Sequence, residues 1–307
     1  MKIQLKLLVL ASTVWVSISS ASILVLLSNA LAEACAFWRL LISAVILNTM
    51  CICKNKQINL NLKKIKWYHI VAGLSLALHF VFWMRSLFMI PVYISTLLVT
   101  LYPLYSLLGE TLLLHYKPPK LQVVGLVLST ALLTLYLNIE KLVFNEGAIL
   151  ALLGGIAAAI YFEVGGYARR KVGEDVVTYS SLTYLVSSLI VLIYALVNNI
   201  ELFNYPLNSY LFFILLAIIP MLLGHTIMNY ILASYPASLV TMIALGEPFG
   251  AGLLAYLILG QGIEINHLLY GVVIITAVFA TLTRTAQTTL SQGGVLIEKT
   301  QDIYKCK

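Results

Sequence analysis

Charged residues are scarce in this chain of 307 residues. Asp, Glu, Lys and Arg make up 10% of the sequence, and hydrophobic residues make up 61%. A soluble domain carries about 25% charged residues. The scarcity of charge therefore excludes an ordinary soluble domain as the body of the protein.

Familiar catalytic and cofactor-binding patterns are also missing. The sequence contains neither the H-E-x-x-H pattern of zinc hydrolases nor the G-x-S-x-G pattern of serine hydrolases. It lacks a nucleotide-binding loop, which argues against direct drive by ATP. Its four cysteines fit no zinc spacing, and three of them fall on the side predicted below to be reducing, where a structural disulfide is not expected. We expect no enzyme activity, no cofactor, no metal ion and no nucleic-acid partner.

Ten apolar runs fill the chain from Leu5 to about Leu282, and each is predicted to be a helix that crosses the lipid bilayer. They cover residues 5–28, 33–53, 67–89, 92–116, 121–137, 147–169, 178–197, 210–233, 237–259 and 266–282. The first run follows two lysines and could pass for a signal peptide, but it continues unbroken to Leu27, which favours an uncleaved helix. The fold class predicted is an all-α membrane protein.

Lysine and arginine are distributed unequally between the two sides. Sixteen of the 19 lie on the side of the N-terminus, Lys141 lies on the opposite side, and Arg39 and Arg85 lie within helices. The positive-inside rule then places both termini in the cytoplasm, in a multi-pass protein of the cell membrane. The polar stretch 285–307 is predicted to be a flexible cytoplasmic tail.

The two halves of the sequence share a polar skeleton. His79 precedes Pro103 by 24 residues and His225 precedes Pro248 by 23, while a glycine follows each proline after 22 and 23 residues respectively. With five helices in each half, the second half is inverted relative to the first, as in many secondary transporters. The predicted units are residues 1–140 and 141–284, a 5+5 inverted-topology repeat.

Eight side chains are placed near the bilayer midplane by their positions along the helices. They are Trp15, His79, Trp83, Tyr102, Tyr161, His225, Asn229 and Glu247. Pro103 and Pro248 each remove a backbone N–H in mid-helix. The carbonyl groups freed in this way, near Val99 and Ala244, are tolerated where they line a cavity. We expect a central cavity for a small polar or amphipathic solute, although the aromatic residues could instead pack against lipid or core.

Glu247 is a candidate for coupling, because an ionised carboxylate without a partner would be strongly destabilised in the membrane. Its own helix offers no cation, so we expect it to take and release a proton; the alternative is a hydrogen-bonded structural residue. For His79 and His225 the alternative is an interhelical hydrogen bond. Gly246 and Gly250 form a small-xxx-small pattern, which is more often used for helix packing than for ligand contact.

Four further charged residues within helices are candidates for coupling or gating. Arg39 and Arg85 are expected to extend outward to the membrane surface, with capture of an anionic group as the alternative. Glu110 and Glu163 lie toward the cytoplasmic ends of the fourth and sixth helices, where Glu163 could form an ion pair with Arg170 at an inner gate, or simply reach the interface.

Several segments resemble the drug/metabolite transporter superfamily, specifically the EamA-type ten-helix exporters. They are "STVW", "FWRLL", "LHFVFWMRSLFMIPVYISTLLVTLYPL", "AAIYFEVGGYARRKV" and "IALGEPFGAGLLAYLILGQ". The resemblance spans about residues 5–284. It implies a central cavity lined mainly by helices 1, 3, 4, 6, 8 and 9, and alternating access. In two places the usual acidic residue is missing: His115 and Tyr116 follow the fourth helix and Gln261 follows the ninth, while Glu110 is displaced into the fourth.

The function predicted is secondary transport of a small metabolite, such as an amino acid or a drug, with export favoured by the resemblance. The partners expected are this solute, the lipid bilayer and a coupling proton or ion. A passive channel or facilitator is the second hypothesis, because sequence does not separate it from a coupled carrier. A third is an intramembrane enzyme using His79, His225 and Glu247 as metal ligands, but no local spacing supports it. The sequence leaves the oligomeric state open.

Overall fold

A computed structural model describes residues 2–53, 64–136, 145–262 and 265–291, and all regular secondary structure in these ranges is helical. In the first half the helices are α1 (Lys2–Ser19 and Ala21–Leu27), α2 (Ala32–Cys53), α3 (Trp67–Ser86), α4 (Val92–Val99 and Tyr102–Leu112) and α5 (Lys120–Tyr136). In the second half, α7 (Val176–Val197) and α10 (Ile265–Ser291) are continuous α-helices. Helix α6 consists of Glu146–Gly166 and the π-helical Tyr167–Val172, and α8 of Leu207–Leu216, the π-helical Ala217–Thr226 and Ile227–Ile231. Helix α9 consists of Ala237–Thr241, the 3₁₀-helical Met242–Gly246 and Glu247–Leu259.

Eight of these helices are long and apolar enough to cross a membrane, counted over the described residues. The apolar parts of α5 and α10 are shorter, Lys120–Leu133 and Leu269–Thr285, although every run was expected to have full spanning length. The predicted all-α membrane protein with ten helices is confirmed. Helix α10 continues to Ser291, past its predicted end at residue 282, and residues 292–307 of the predicted tail lie outside the described residues.

The two five-helix halves pack through matching helix pairs. Helix α3 packs along α6, and its counterpart α8 packs along α1. Helices α2, α4 and α5 each pack against their own counterparts, α7, α9 and α10. Five helices per half reverse the second half relative to the first, so the predicted inverted repeat is confirmed. The pair α5–α10 lies at the edge of the bundle, where many α5 side chains are exposed.

Helix α9 approaches α1 closely because it presents small residues to it. A Cβ added to Gly246 would lie 2.7 Å from Nε1 of Trp15, and one added to Gly250 would lie 2.5 Å from Cβ of Ser19. These two glycines therefore serve helix packing, as predicted.

Both proline-containing helices are broken near the middle of the bundle. Helix α4 is interrupted at Thr100 and Leu101, just before Pro103, and α9 changes to a 3₁₀-helix before Pro248. The cause is the missing N–H of each proline, which cannot donate to the preceding turn. The breaks bring irregular backbone to the centre, where the cavity lies.

Candidate functional site

A small polar cavity lies between the two halves of the bundle. Helices α1, α2, α3, α4, α8 and α9 line it through Ile18, Ala21, Arg39, His79, Trp83, Val99, Tyr102, Pro220, His225 and Glu247. Its volume is about 20 Å³, and a buried water needs about 10–15 Å³. The cavity therefore has room for a water molecule but not for a metabolite, so the conformation described is closed around its centre.

Five of the eight predicted midplane residues line this cavity. The ring of His79 stacks on that of Trp83, with 6.0 Å between centroids and 6° between planes. Its centroid also lies 6.0 Å from that of His225, its counterpart in the second half, and 6.5 Å from that of Tyr102. Glu247 completes the set from α9 and is 6% exposed.

The two histidines are held differently. Nδ1 of His79 forms a 3.0 Å hydrogen bond with the carbonyl of Gly154 on α6, which is the interhelical bond offered as an alternative role. Nδ1 of His225 has no hydrogen-bond partner among the described residues. Nδ1 is thus bonded in His79 and, within the part of the chain described, unpaired in His225.

The other three midplane residues lie behind the cavity wall. Trp15 packs against Gly246 in the contact between α1 and α9. Asn229 donates from Nδ2 to the hydroxyl of Tyr161 at 2.7 Å and to that of Ser180 at 3.1 Å. The ring of Tyr161 then approaches His225, 6.1 Å between centroids. These residues support the wall instead of lining the cavity.

Arg39 does not extend to the membrane surface, so that expectation was wrong. Its side chain is 0% exposed, and its guanidinium carbon lies 4.0 Å from the ring centroid of Phe80. The reason is the position of α2, which packs against α3, α7 and α8 and leaves no open path outward from this face. The arginine is therefore part of the central cavity.

Arg85 does reach the side of the bundle opposite the N-terminus, as predicted. There it forms an ion pair with Glu33 at the start of α2, and Nη2 donates to the hydroxyl of Tyr194 at 3.1 Å. Sequence reasoning did not single out Glu33. Glu33 lies just after the turn between α1 and α2, and Arg85 lies close to the turn that follows α3, on the same side of the bundle. This shared side was the signal in the sequence that could have indicated the ion pair.

Glu110 holds together the N-terminal side of the bundle. Its carboxylate accepts hydrogen bonds from the backbone N–H of Ala237 at 2.7 Å and of Ser238 at 3.0 Å, and also from the Ser238 hydroxyl. These are the orphan donors at the start of α9, and a negative charge is favourable there. Arg170 of α6 lies 3.4 Å from the same carboxylate and also donates to the Tyr235 carbonyl.

The ion pair suggested between Glu163 and Arg170 is not formed. Arg170 pairs with Glu110, because α6 widens into a π-helix before this residue and turns it toward the start of α9. Glu163 lies against Gly109 on α4, where an added Cβ would collide with its carboxylate. Of the two acidic candidates, Glu110 therefore has the geometry of an inner closure.

A hydrogen-bonded chain extends this closure to α5. Tyr116 donates to Oε1 of Gln122 at 3.0 Å, and Nε2 of Gln122 donates to Oγ of Ser238 at 2.8 Å. Burial, reinforced by the charge of Glu110, raises the pKa of Tyr116 to about 12. The phenol thus remains a hydrogen-bond donor at any physiological pH. Tyr116 occupies one of the positions where an acidic residue was expected.

A weaker counterpart closes the opposite side. Oε1 of Gln261, after α9, accepts from the backbone N–H of Val92 at the start of α4, with a separation of 3.4 Å. Glu110 on α4 thus caps the start of α9, and Gln261 after α9 caps the start of α4.

No group of three or more His, Cys, Asp and Glu residues able to hold a metal ion occurs in the ranges that the structure describes. Fold and site together define a polytopic membrane protein with a polar cavity between two inverted repeats, the architecture of secondary carriers. The profile of the EamA-like transporter family matches residues 3–137 and 145–283. The chain belongs to this family, and is therefore a membrane transporter and not an enzyme.

Comparison with solved structures supports the same fold. One crystal structure superimposes with a TM-score of 0.70 at 15% sequence identity, over 91% of this chain and 97% of its own. At that identity the likeness shows the fold alone. Among curated protein sequences, none matches significantly.

Proposed function

We propose that this protein moves a small metabolite across the cytoplasmic membrane by alternating access, in the direction of export, with both termini in the cytoplasm. The observation that carries the proposal is the polar cavity enclosed between two inverted repeats. A carrier needs such a site to open to one side at a time. Amino acids and related polar compounds fit its lining of imidazoles, indoles and charged groups, and amphipathic drugs are the second choice.

Two sets of contacts, one at each end of the bundle, support alternating access. Each is referred to as a closure. On the cytoplasmic side Glu110 joins α4 to the start of α9, with Arg170 bound to the same carboxylate. On the external side the pair of Arg85 and Glu33 joins α3 to α2. Each closure has to part when the cavity opens to its own side.

Glu247 is the proposed coupling residue. It lines the cavity together with Arg39, so the carboxylate does have a cation nearby, on α2 and not on its own helix. No ion pair within 4 Å joins the two in the described part of the chain. Alternating access would change the separation between Glu247 and Arg39, and with it the tendency of the carboxylate to hold a proton.

Counterflow in proteoliposomes tests the transport proposal. A panel of amino acids, sugars and cationic drugs is offered to vesicles loaded with the same unlabelled compounds. Exchange of at least one compound supports a carrier. Uptake without any acceleration by internal solute would favour the channel hypothesis instead.

The coupling proposal is tested with Glu247→Gln, which keeps the shape of the side chain and mimics the protonated, neutral carboxyl group. Proton-driven accumulation should be lost while solute exchange continues, and the exposed Glu201→Gln serves as the control. Accumulation with unchanged pH dependence in Glu247→Gln would make this residue structural. A wild type indifferent to a proton gradient would point to a facilitator.

A further inference from the structure

Arg39 is a buried cation whose hydrogen-bonding capacity is unused. Its Nε, Nη1 and Nη2 atoms have no hydrogen-bond partner among the described residues. Proteins rarely bury such a group unpaired, because desolvating a charge is costly. One face of the guanidinium lies over Phe80, which leaves the N–H edge available to the cavity.

The cavity contains further polar nitrogen atoms without a partner in the described part of the chain. Besides Arg39, Nε1 of Trp83 has no partner among the residues described, and neither has Nδ1 of His225. The ionisable groups facing Arg39 from the packed helices are His79 on α3, Tyr102 on α4, Tyr161 on α6, Tyr184 on α7, His225 on α8 and Glu247 on α9. Glu247 is the one carboxylate in this set. It lies beyond ion-pair distance from the guanidinium.

We propose that Arg39 is the anchor for a carboxylate on the transported solute. The planar guanidinium presents paired N–H groups that match a carboxylate in a bidentate contact. Trp83 supplies a neighbouring N–H donor, His225 an unpaired ring nitrogen, and Glu247 faces the remainder of the solute. The inference rests on the proposed transport function for its physiological meaning, but the binding itself is measurable without transport.

Equilibrium binding to the purified full-length protein in detergent provides the test. The probes are two matched pairs, L-leucine with L-leucinamide and lactate with lactamide, added over a range of concentrations. Quenching of tryptophan fluorescence, with Trp83→Phe to assign the signal, and the shift in melting temperature report binding. Each acid should bind at least about tenfold more tightly than its amide, since the amide cannot form the charge-assisted pair.

Arg39 variants then assign the anchor. Arg39→Gln should lose at least about tenfold in affinity for both acids, and Arg39→Lys should recover part of it because charge returns without the planar fork. Lys171→Gln, which removes an exposed cation, is the matched control and should bind like the wild type. At alkaline pH, where the wild-type carboxylate is ionised, Glu247→Gln should bind lactate several-fold more tightly, because a negative charge beside the anion is gone. A gain of affinity cannot arise from poor folding, so this variant tests for an anion in the cavity even if Arg39 variants fail to fold.

The outcomes separate this inference from the transport proposal. Equal binding of acids and amides, no binding of either acid, or undiminished binding in a folded Arg39→Gln would overturn the carboxylate anchor. Unchanged lactate affinity in Glu247→Gln at alkaline pH would overturn it too. Acid-selective binding that depends on Arg39, in a protein that exchanges no solute in counterflow, would support the anchor and refute transport. Exchange of sugars or cations in counterflow, without binding of either acid, would support transport and refute the carboxylate anchor.

Discussion

At the scale of single residues, the buried polar atoms differ in whether they have a partner. Nδ2 of Asn229 donates to Tyr161 behind the cavity wall, and Glu110 is fully occupied by the start of α9, whereas Oδ1 of Asn229 has no partner among the described residues. Arg39 and His225, which face the cavity, keep unused hydrogen-bonding atoms. Satisfied groups stabilise the packing, whereas unsatisfied groups in a cavity are available to a ligand.

Asn229→Ala is expected to destabilise the protein. The change removes the donor to Tyr161 and Ser180 in a region with no exposure, which costs about 1–3 kcal/mol for buried groups left unpaired. The measurement is the melting temperature of the purified protein in detergent. The control is Asn198→Ala, which removes an exposed hydrogen bond and should change stability by less than about 0.5 kcal/mol. Equal melting temperatures for both variants would show that the network carries no stability.

At the scale of helices, the contacts that matter are close approaches and caps. Helix α9 is the central example, since it packs tightly on α1, receives Glu110 at its start and provides Gln261 after its end. Movement of α9 would therefore loosen one closure and strain its packing with the other repeat. In the alternating access proposed above, α9 would couple the opening of the two sides.

Gly250→Ala should weaken the contact between α9 and α1. The added methyl group would meet Cβ of Ser19 at 2.5 Å, so the helices must separate, at a cost of about 1–3 kcal/mol. Thermal unfolding in detergent measures the loss. Gly262→Ala is the matched control, because an added Cβ there meets no atom within 4 Å. A Gly250→Ala protein as stable as the control would mean that the close contact between α9 and α1 does not require a glycine at this position.

Glu110→Gln should loosen the N-terminal side of the bundle. It removes the charge that Arg170 contacts and weakens the cap on α9, each effect being worth about 0.5–2 kcal/mol. The readout is the rate at which a maleimide reagent labels Ser106→Cys, a buried position on α4, in a background without native cysteines. The rate should rise several-fold over that with the control Glu201→Gln. If labelling is no faster, Glu110 is a structural cap and not a gate.

At the scale of the whole molecule, α4 and α9 contact each other at both ends of the bundle, and the two contacts differ in strength. The Glu110 closure combines charge, backbone caps and a hydrogen-bonded chain to α5, whereas Gln261 offers a neutral and longer contact. Ionised groups form stronger hydrogen bonds than neutral ones. Between α4 and α9 the contact on the N-terminal side is therefore the stronger, while the ion pair of Arg85 and Glu33 joins α3 to α2 at the opposite end.

Orientation in the membrane follows from the distribution of basic residues and is open to direct test. Single cysteines at Lys64 and Asn199, in a cysteine-free background, should react with a membrane-impermeant maleimide from opposite sides of intact cells. Asn199 should react from outside and Lys64 only after permeabilisation. Labelling of Lys64 in intact cells, or protection of Asn199 while external controls react, would reverse the orientation.

The sequence by itself determined the number and order of helices, the repeat and the position of each polar residue along its helix. These properties follow from one-dimensional patterns: apolar length sets a span, and 1.5 Å per residue converts position into depth. Five of the eight residues placed at midplane depth line the cavity for this reason. The prolines likewise identified the breaks in α4 and α9, because their missing N–H acts locally.

Only the tertiary structure decided which way each side chain faces. In a membrane, both the lipid-facing and the buried side of a helix are apolar, so the sequence lacks the polar stripe that marks orientation in soluble helices. Arg39 was therefore expected at the surface but lies inside, and Tyr161 was expected to line the cavity but lies behind its wall. The pairing of Glu110 with Arg170 depends on how far apart α4 and α6 lie and how each is rotated, which hydropathy and spacing do not record.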